Sequence, residues 1–296
     1  MKNLSGFISA LVVAGTTAIG SVYAAPITVA PIDGVTVTAD SMANSLLSGS
    51  SGITINSATY TGANGASGVY SNGAAVNLSS GILLTTGSVN SVPGPNNLTG
   101  AGTDNGQAGS ALLSSQIGGS PTFNAATLEI KFTPTGNNVQ FKYVFGSEEY
   151  SEYLGFNDVF GFFVNGVNYA LIPGTSTPVS VSNLNCGSTG TGSGPNCAYF
   201  INNPSGNPDV QLDGYTQVLS FIAPVTANVE NTLTLAIADA FDGILDTVVM
   251  IEGGSLSVCG GPGQPPCGGT VPEPFSLALF GIGLAGLSVI RKKKTA

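Results

Sequence analysis

Apolar and polar residues alternate with a period of two in three well-separated parts of this chain. Leu128, Ile130 and Phe132 are interleaved with Thr127, Glu129 and Lys131. Val139, Phe141, Tyr143 and Phe145 are interleaved with Gln140, Lys142 and Val144, and Leu233, Leu235 and Ile237 with Thr232, Thr234 and Ala236. Successive side chains of a β-strand point to opposite faces, so each stretch predicts a strand with one face buried. Shorter apolar runs at Val35–Thr38, Ile53–Tyr60, Ile82–Thr85, Val159–Val164, Val218–Ile222 and Val248–Ile251 predict further strands. Clusters of Asn, Gly, Ser and Pro punctuate them. One short helix is expected at Ser41–Leu47, with Asp40 capping its first turn. Many short strands joined by polar turns predict an all-β fold, a β-sandwich for which a jelly roll is one available topology. No internal repeat and no second domain stand out, and apart from Ile82–Thr85 the Gly-, Asn- and Ser-rich segment Ala63–Gln107 is left unplaced, an ordered loop over the sheet being one reading.

Composition adds a core and removes several chemistries. Of 296 residues 42% are hydrophobic, enough to bury a core, while only 8% are charged; an ordinary soluble domain has about 25%. Histidine is absent, which excludes Ser-His-Asp and Cys-His catalytic arrangements and any His-ligated metal centre. The basic residues Lys2, Arg291, Lys292, Lys293 and Lys294 lie at the two ends, whereas all 16 acids fall between Asp33 and Glu273. Residues 25–270 therefore hold two lysines against 15 acids, a net of −13. Phosphate is neutralised by clustered Lys and Arg, so nucleic acid is not an expected partner. Cations are the natural counter-charge. The plainer alternative is an acidic surface that keeps an exported protein soluble.

Both ends read as export signals. Met1-Lys2-Asn3, an apolar stretch from Leu4 to Gly20, and Val22-Tyr23-Ala24 before Ala25 predict a secretory leader at 1–24, cut after Ala24. The body is expected over 25–258, a Gly/Pro linker over 259–270 and a terminal segment over 271–296. That segment opens with Pro272-Glu273-Pro274, continues without a charge through 275–290 and ends on Arg291-Lys292-Lys293-Lys294. Sixteen residues at ~1.5 Å each reach about 24 Å, short of a ~30 Å bilayer core, so membrane anchoring through 275–290 is expected to be transient. The basic tail stays cytoplasmic by the positive-inside bias. This order resembles the PEP-CTERM sorting signal of Gram-negative bacteria. The resemblance implies recognition by an exosortase, loss of the tail and delivery to the cell surface or exopolysaccharide matrix.

Four cysteines in an exported chain suggest disulfides, and four allow three connectivities. The sequence-local pairs Cys186–Cys197 and Cys259–Cys267 are favoured, because each closes a loop with little other means of order. Neither spacing matches a zinc site.

Chemistry concentrates in two acidic stretches. Phe145–Val164 holds Glu148, Glu149, Glu152 and Asp158 among seven aromatics, and Ile237–Val249 holds Asp239, Asp242 and Asp246. Carboxylates crowded into loops repel one another unless a cation or a proton relieves them. Ca²⁺ takes about six to eight oxygen ligands of this kind. Glu148, Glu149, Asp158, Asp239, Asp242 and Asp246 are thus candidate calcium ligands, assembled across loops since no EF-hand spacing is present. Turn-capping Asp and exposed Glu are the competing reading. A glycosidase pair drawn from Glu148, Glu149 or Glu152 is a third.

These stretches, with Gly81–Gly87, Gly94-Pro95-Asn96, Gln211–Thr216 and Leu235–Asp239, resemble the choice-of-anchor L domain, a bacterial surface domain carried on different C-terminal anchors. The match runs from about Val35 to Ser257, and Gln211-Leu212 stands where an aromatic is expected. The resemblance implies no catalytic activity. The resulting expectation is a non-enzymatic surface or matrix protein for adhesion, biofilm or exopolysaccharide association. Tyr150 and Tyr153 would contact polysaccharide, calcium would order the loops, and a secreted glycan hydrolase is the alternative.

Overall fold

The computed structural model describes residues 25–207 and 209–268. The expected leader and the sorting segment with its apolar stretch lie outside the described residues. In chain order the strands are β1 (Thr28–Pro31), β2 (Ile53–Thr61), β3 (Ser67–Ser71), β4 (Gly81–Thr85), β5 (Thr122–Pro134), β6 (Asn138–Ser147) and β7 (Val159–Val164). There follow β8 (Val167–Asn168), β9 (Phe200–Asn202), β10 (Gly214–Thr216), β11 (Leu219–Pro224), β12 (Asn231–Ala240), β13 (Thr247–Glu252) and β14 (Ser257–Val258). Helices α1 (Ala39–Ser45) and α2 (Ala111–Gln116) and short 3-10 turns at Gly73–Val76, Val89–Ser91 and Cys197–Tyr199 complete the described elements.

The strands form two antiparallel sheets. One runs β1-β3-β4-β13-β6-β10-β9, with β11 and β14 also paired to β6; the other runs β2-β5-β12-β7-β8. The fold is the expected all-β sandwich. Between the sheets, Phe141, Tyr143 and Phe145 of β6 and Phe221 of β11 meet Leu128, Ile130 and Phe132 of β5, Phe160 and Phe162 of β7, and Leu233, Leu235 and Ile237 of β12. The period-two positions read from the sequence are therefore the inward faces. Phe162 is at the centre, its ring 4.1–5.1 Å by centroid from those of Phe160, Phe141, Tyr143 and Phe221.

The outer faces are covered as well. Leu83, Val144, Val248 and Met250 pack under Val76, Leu78, Val89, Val92 and Val210. Phe163, Ala236 and Ala238 pack under Leu113 of α2. Double-sided burial explains the uninterrupted apolar runs of β4, β7 and β13.

The structure corrects several sequence expectations. Val35–Thr38 is not a strand: the Asp33 carboxylate accepts from the amides of Val35, Thr36 and Val37 and bends the chain back. The helix starts two residues earlier than expected, capped by Thr38, whose hydroxyl accepts from Ser41. Asp40 instead sits in its first turn and accepts from the Ala58 amide of β2. A second helix, α2, carries one buried Leu per short turn and too little periodicity to announce itself. Both local disulfides form as expected. The loop closed by Cys259–Cys267 lies on the sheet, with Gly268 donating to the Gln140 side chain of β6 and Cys259 to the Asn138 carbonyl. No helix among the described residues is long and apolar enough to cross a membrane.

Removing the central ring tests this core. Phe162→Ala is expected to lower unfolding free energy by about 3–5 kcal/mol, measured by chemical denaturation. Ile222→Ala, on the 41% exposed side of β11, should change it by no more than about 0.5 kcal/mol.

Candidate functional site

The two acidic stretches meet because of strand register. Thr247 opens β13 opposite Ser147, the last residue of β6, so Glu148 and Asp246 flank that pair and the Glu148 amide donates to the Asp246 carbonyl at 3.0 Å. Val159 opens β7 opposite Ala238 of β12, which puts Asp158 and Asp239 together. All six predicted residues thus lie at one end of the sandwich, where β4, β6 and β12 finish and β7 and β13 begin.

Five of them are buried: Glu148, Glu149, Asp158, Asp239 and Asp246 are each no more than 3% exposed. Asp242 is outside, its carboxylate accepting from the Ile244 amide in a turn. The hydrogen bonds divide the buried set. Asp246 is filled on both oxygens, by Thr103 N at 2.7 Å and Ser88 N at 3.1 Å. Asp158 accepts from Ala240 N at 2.9 Å and, on its other oxygen, from the Thr247 hydroxyl. Asp239 accepts from Asn124 Nδ2 at 3.0 Å on one oxygen only. Glu148 accepts from Ala101 N at 3.0 Å and Gln211 Nε2 at 3.4 Å on Oε2. Glu148 Oε1, Glu149 Oε2 and Asp239 Oδ1 are buried without a hydrogen-bond partner among the described residues.

No cation answers these groups. The one ion pair among the described residues, Lys142–Glu252, belongs to other positions. Burial accordingly pushes Glu148 and Glu149 up to about 8, Asp239 to about 7 and Asp246 to about 6. Asp242 and Asp239 raise Glu149 further, and burial followed by the charge of Asp239 raises Asp158 well above the ordinary range. Among the described residues no three acidic, His or Cys side chains already stand in metal-holding geometry. Closing a multi-carboxylate shell therefore requires the loops to move or carbonyl and water oxygens to contribute.

The segment left unassigned in the sequence supplies much of the second layer. Its loop after β4 gives the amides of Ser88, Ala101 and Thr103 to Asp246 and Glu148, and Asn105 donates to the carbonyls of Thr86 and Gly87. Gly87 is required there, because a Cβ would lie 1.8 Å from Asp246 Oδ1. Gln211, the departure from the expected aromatic, is a buried donor to Glu148, Asn96 and the Leu98 carbonyl. Asp213, accepting from Asn96, is raised to about 6 mainly by burial. Tyr150 is fully buried and donates to the Leu184 carbonyl, so it is core and not a ligand contact. Tyr153 is 47% exposed. Phe241, between the two acidic turns, holds φ at 77°, a costly region for a bulky residue.

Carboxyls whose folded pKa exceeds the unfolded one bind more protons when folded. Without a bound cation, their contribution to stability is fully present below about pH 4, the unfolded values. It is lost as pH rises from there through the folded values of about 6 to about 8. The melting temperature in EGTA is expected to drop steadily between those limits. Gly87→Ala should cost about 1–3 kcal/mol by crowding Asp246, whereas Gly49→Ala, with nothing within 4 Å, should be near neutral in the same denaturation assay.

Comparison with known proteins agrees with this architecture. The choice-of-anchor L domain model matches residues 29–257, and the PEP-CTERM protein-sorting motif matches residues 270–294. No curated protein and no solved structure matches the chain. The sorting motif marks an exported bacterial surface protein handled by exosortase-type machinery. The domain match runs from β1 into β14 and takes in every buried carboxylate of the site, and the chain belongs to the choice-of-anchor L domain family.

Proposed function

We propose that the protein is a non-catalytic component of the cell surface or extracellular matrix, serving adhesion or biofilm through association with exopolysaccharide. Its acidic end is held together by Ca²⁺. The observation that carries the calcium reading is the set of buried carboxylates with no cationic side chain and with unpartnered oxygens on Glu148, Glu149 and Asp239. Glu149, Asp239 and half-buried Asp242 are the favoured ligands, because Asp158 and Asp246 already have donors on both oxygens. Loop carbonyls and water would complete a calcium shell. Delivery outside, where calcium is abundant, follows from the sorting motif.

A hydrolase is the second reading. Glu149, raised to about 8 chiefly by burial, lines a groove together with Asp242, so two acidic residues share one concavity. Sustained turnover on a glycan panel, lost in Glu149→Gln, would establish it and displace the non-catalytic reading.

Calcium at about 100 times its dissociation constant should add about 2.7 kcal/mol, or roughly 5–10 °C in Tm for a domain of this size. The measurement is thermal melting of the full-length protein in calcium and in EGTA at pH 8. Asp239→Asn should abolish most of the difference, and an identical Tm in both buffers would overturn the calcium assignment.

A further inference from the structure

At the same end of the sandwich, segments 98–100, 149–156 and 242–245 enclose an open groove of about 490 Å³. Leu98, Tyr153, Phe156 and Ile244 share its lining with Glu149 and Asp242, and no Lys or Arg lines it. Leu98, Tyr153 and Ile244 are 55%, 47% and 62% exposed, an apolar concentration of the kind that marks a contact surface. Tyr153 is braced by Phe156, with ring centroids 6.5 Å apart at 67°. Glu149 is 2% exposed, and its Oε2 has no partner among the described residues. A buried, unsatisfied acceptor therefore lies in the wall of an otherwise apolar groove.

We propose that this groove binds amine-bearing sugar units, as in a deacetylated amino-sugar polysaccharide, with the ammonium between Glu149 and Asp242 and the ring against Tyr153, Leu98 and Ile244. An ammonium brings only donors and a positive charge, which answers the unpartnered Glu149 Oε2 beside Asp242, and binding it releases the proton that burial otherwise keeps on Glu149. Its attraction to the face of an aromatic ring adds to this at Tyr153. A neutral sugar would leave the charge unanswered. A lysine side chain carries the same head group but presents a single methylene chain to three exposed apolar residues. The inference rests on the matrix reading and deepens it by naming the ligand class; calcium on Glu149 and Asp242 would compete with the ammonium, which is why the test is made in EGTA.

The test is calorimetric titration of the full-length protein in non-ionic detergent, EGTA and about 0.15 M salt. The probes are a glucosamine tetramer, its fully N-acetylated counterpart and tetralysine. The glucosamine tetramer should bind about tenfold or more tighter than either alternative. Tyr153→Ala and Asp242→Asn should each weaken it by about tenfold while leaving Tm in EGTA within a few degrees. Glu129→Gln makes the same charge change on the exposed face of β5 and should leave binding unchanged. Equal affinity for the N-acetylated tetramer, equal weakening by Glu129→Gln, or no binding of the tetramer would overturn the proposal. Tightest binding of tetralysine would also overturn it, in favour of a basic protein partner. Fractionation of intact cells tests the matrix reading separately. A protein that binds the tetramer but never accompanies the cell's polysaccharide would sink that reading alone.

Discussion

Taking a carboxylate out of water is expensive unless a proton, a donor set or a cation replaces the lost hydration. This chain removes Glu148, Glu149, Asp158, Asp239 and Asp246 from water together, at one end of a sandwich with no basic side chain nearby. Everything around them is organised to meet that cost. Backbone amides of the loop after β4 fill Asp246 and one oxygen of Glu148, and Ala240 N and Thr247 fill Asp158. Glycine at 87 exists where it does because Asp246 occupies the space of its Cβ. Donors suffice for some oxygens and fail for others, and the shortfall falls on Glu148, Glu149 and Asp239. In the absence of metal Glu148 and Glu149 keep their protons at neutral pH, and Asp239, raised to about 7, titrates there, which is the other way of relieving the charge.

The site and the core are therefore one design. β6 and β12 carry inward aromatics and leucines along their length and end in acids, so the packing that fixes strand register also fixes where the carboxylates meet. Cover on both outer faces makes the central strands rigid, and a rigid frame can hold like charges at short range. The sorting motif adds that this frame is carried to the cell surface. What the frame does there must reside in the body, and its chemically distinctive part is the acidic end.

Sequence pattern revealed the strands with one buried face and those with two, because Leu128–Phe132 and Val159–Val164 each declare their burial in their spelling. It revealed the acids too, since crowding in a poorly charged chain is conspicuous. It did not reveal which acids are satisfied. That depends on amides of Ser88, Ala101 and Thr103, and a backbone donor has no sequence signature. The loop holding them is Gly- and Asn-rich, and such composition fits an exposed tip as well as a cradle. Gly94-Pro95-Asn96 was the available signal, with Asn96 now seen buried and donating to Asp213. Val35–Thr38 misled for a simple reason. Its apolar residues at alternate positions satisfy a strand pattern, but the three-amide turn on Asp33 is worth more to four residues than an edge pairing. Tyr150 misled because an aromatic between acids looks like a ligand contact, yet its ring packs against Phe200 and its hydroxyl is spent on Leu184.

The proposed calcium site rests on the unfilled oxygens at this end of the sandwich. Anomalous scattering from crystals grown in millimolar calcium tests it most directly. A peak is expected about 2.3–2.6 Å from oxygens of Glu149 and Asp239, with Asp242 drawn toward it. Well-ordered acidic loops at pH 8 with no peak, and the same carboxylates still unpartnered, would contradict it.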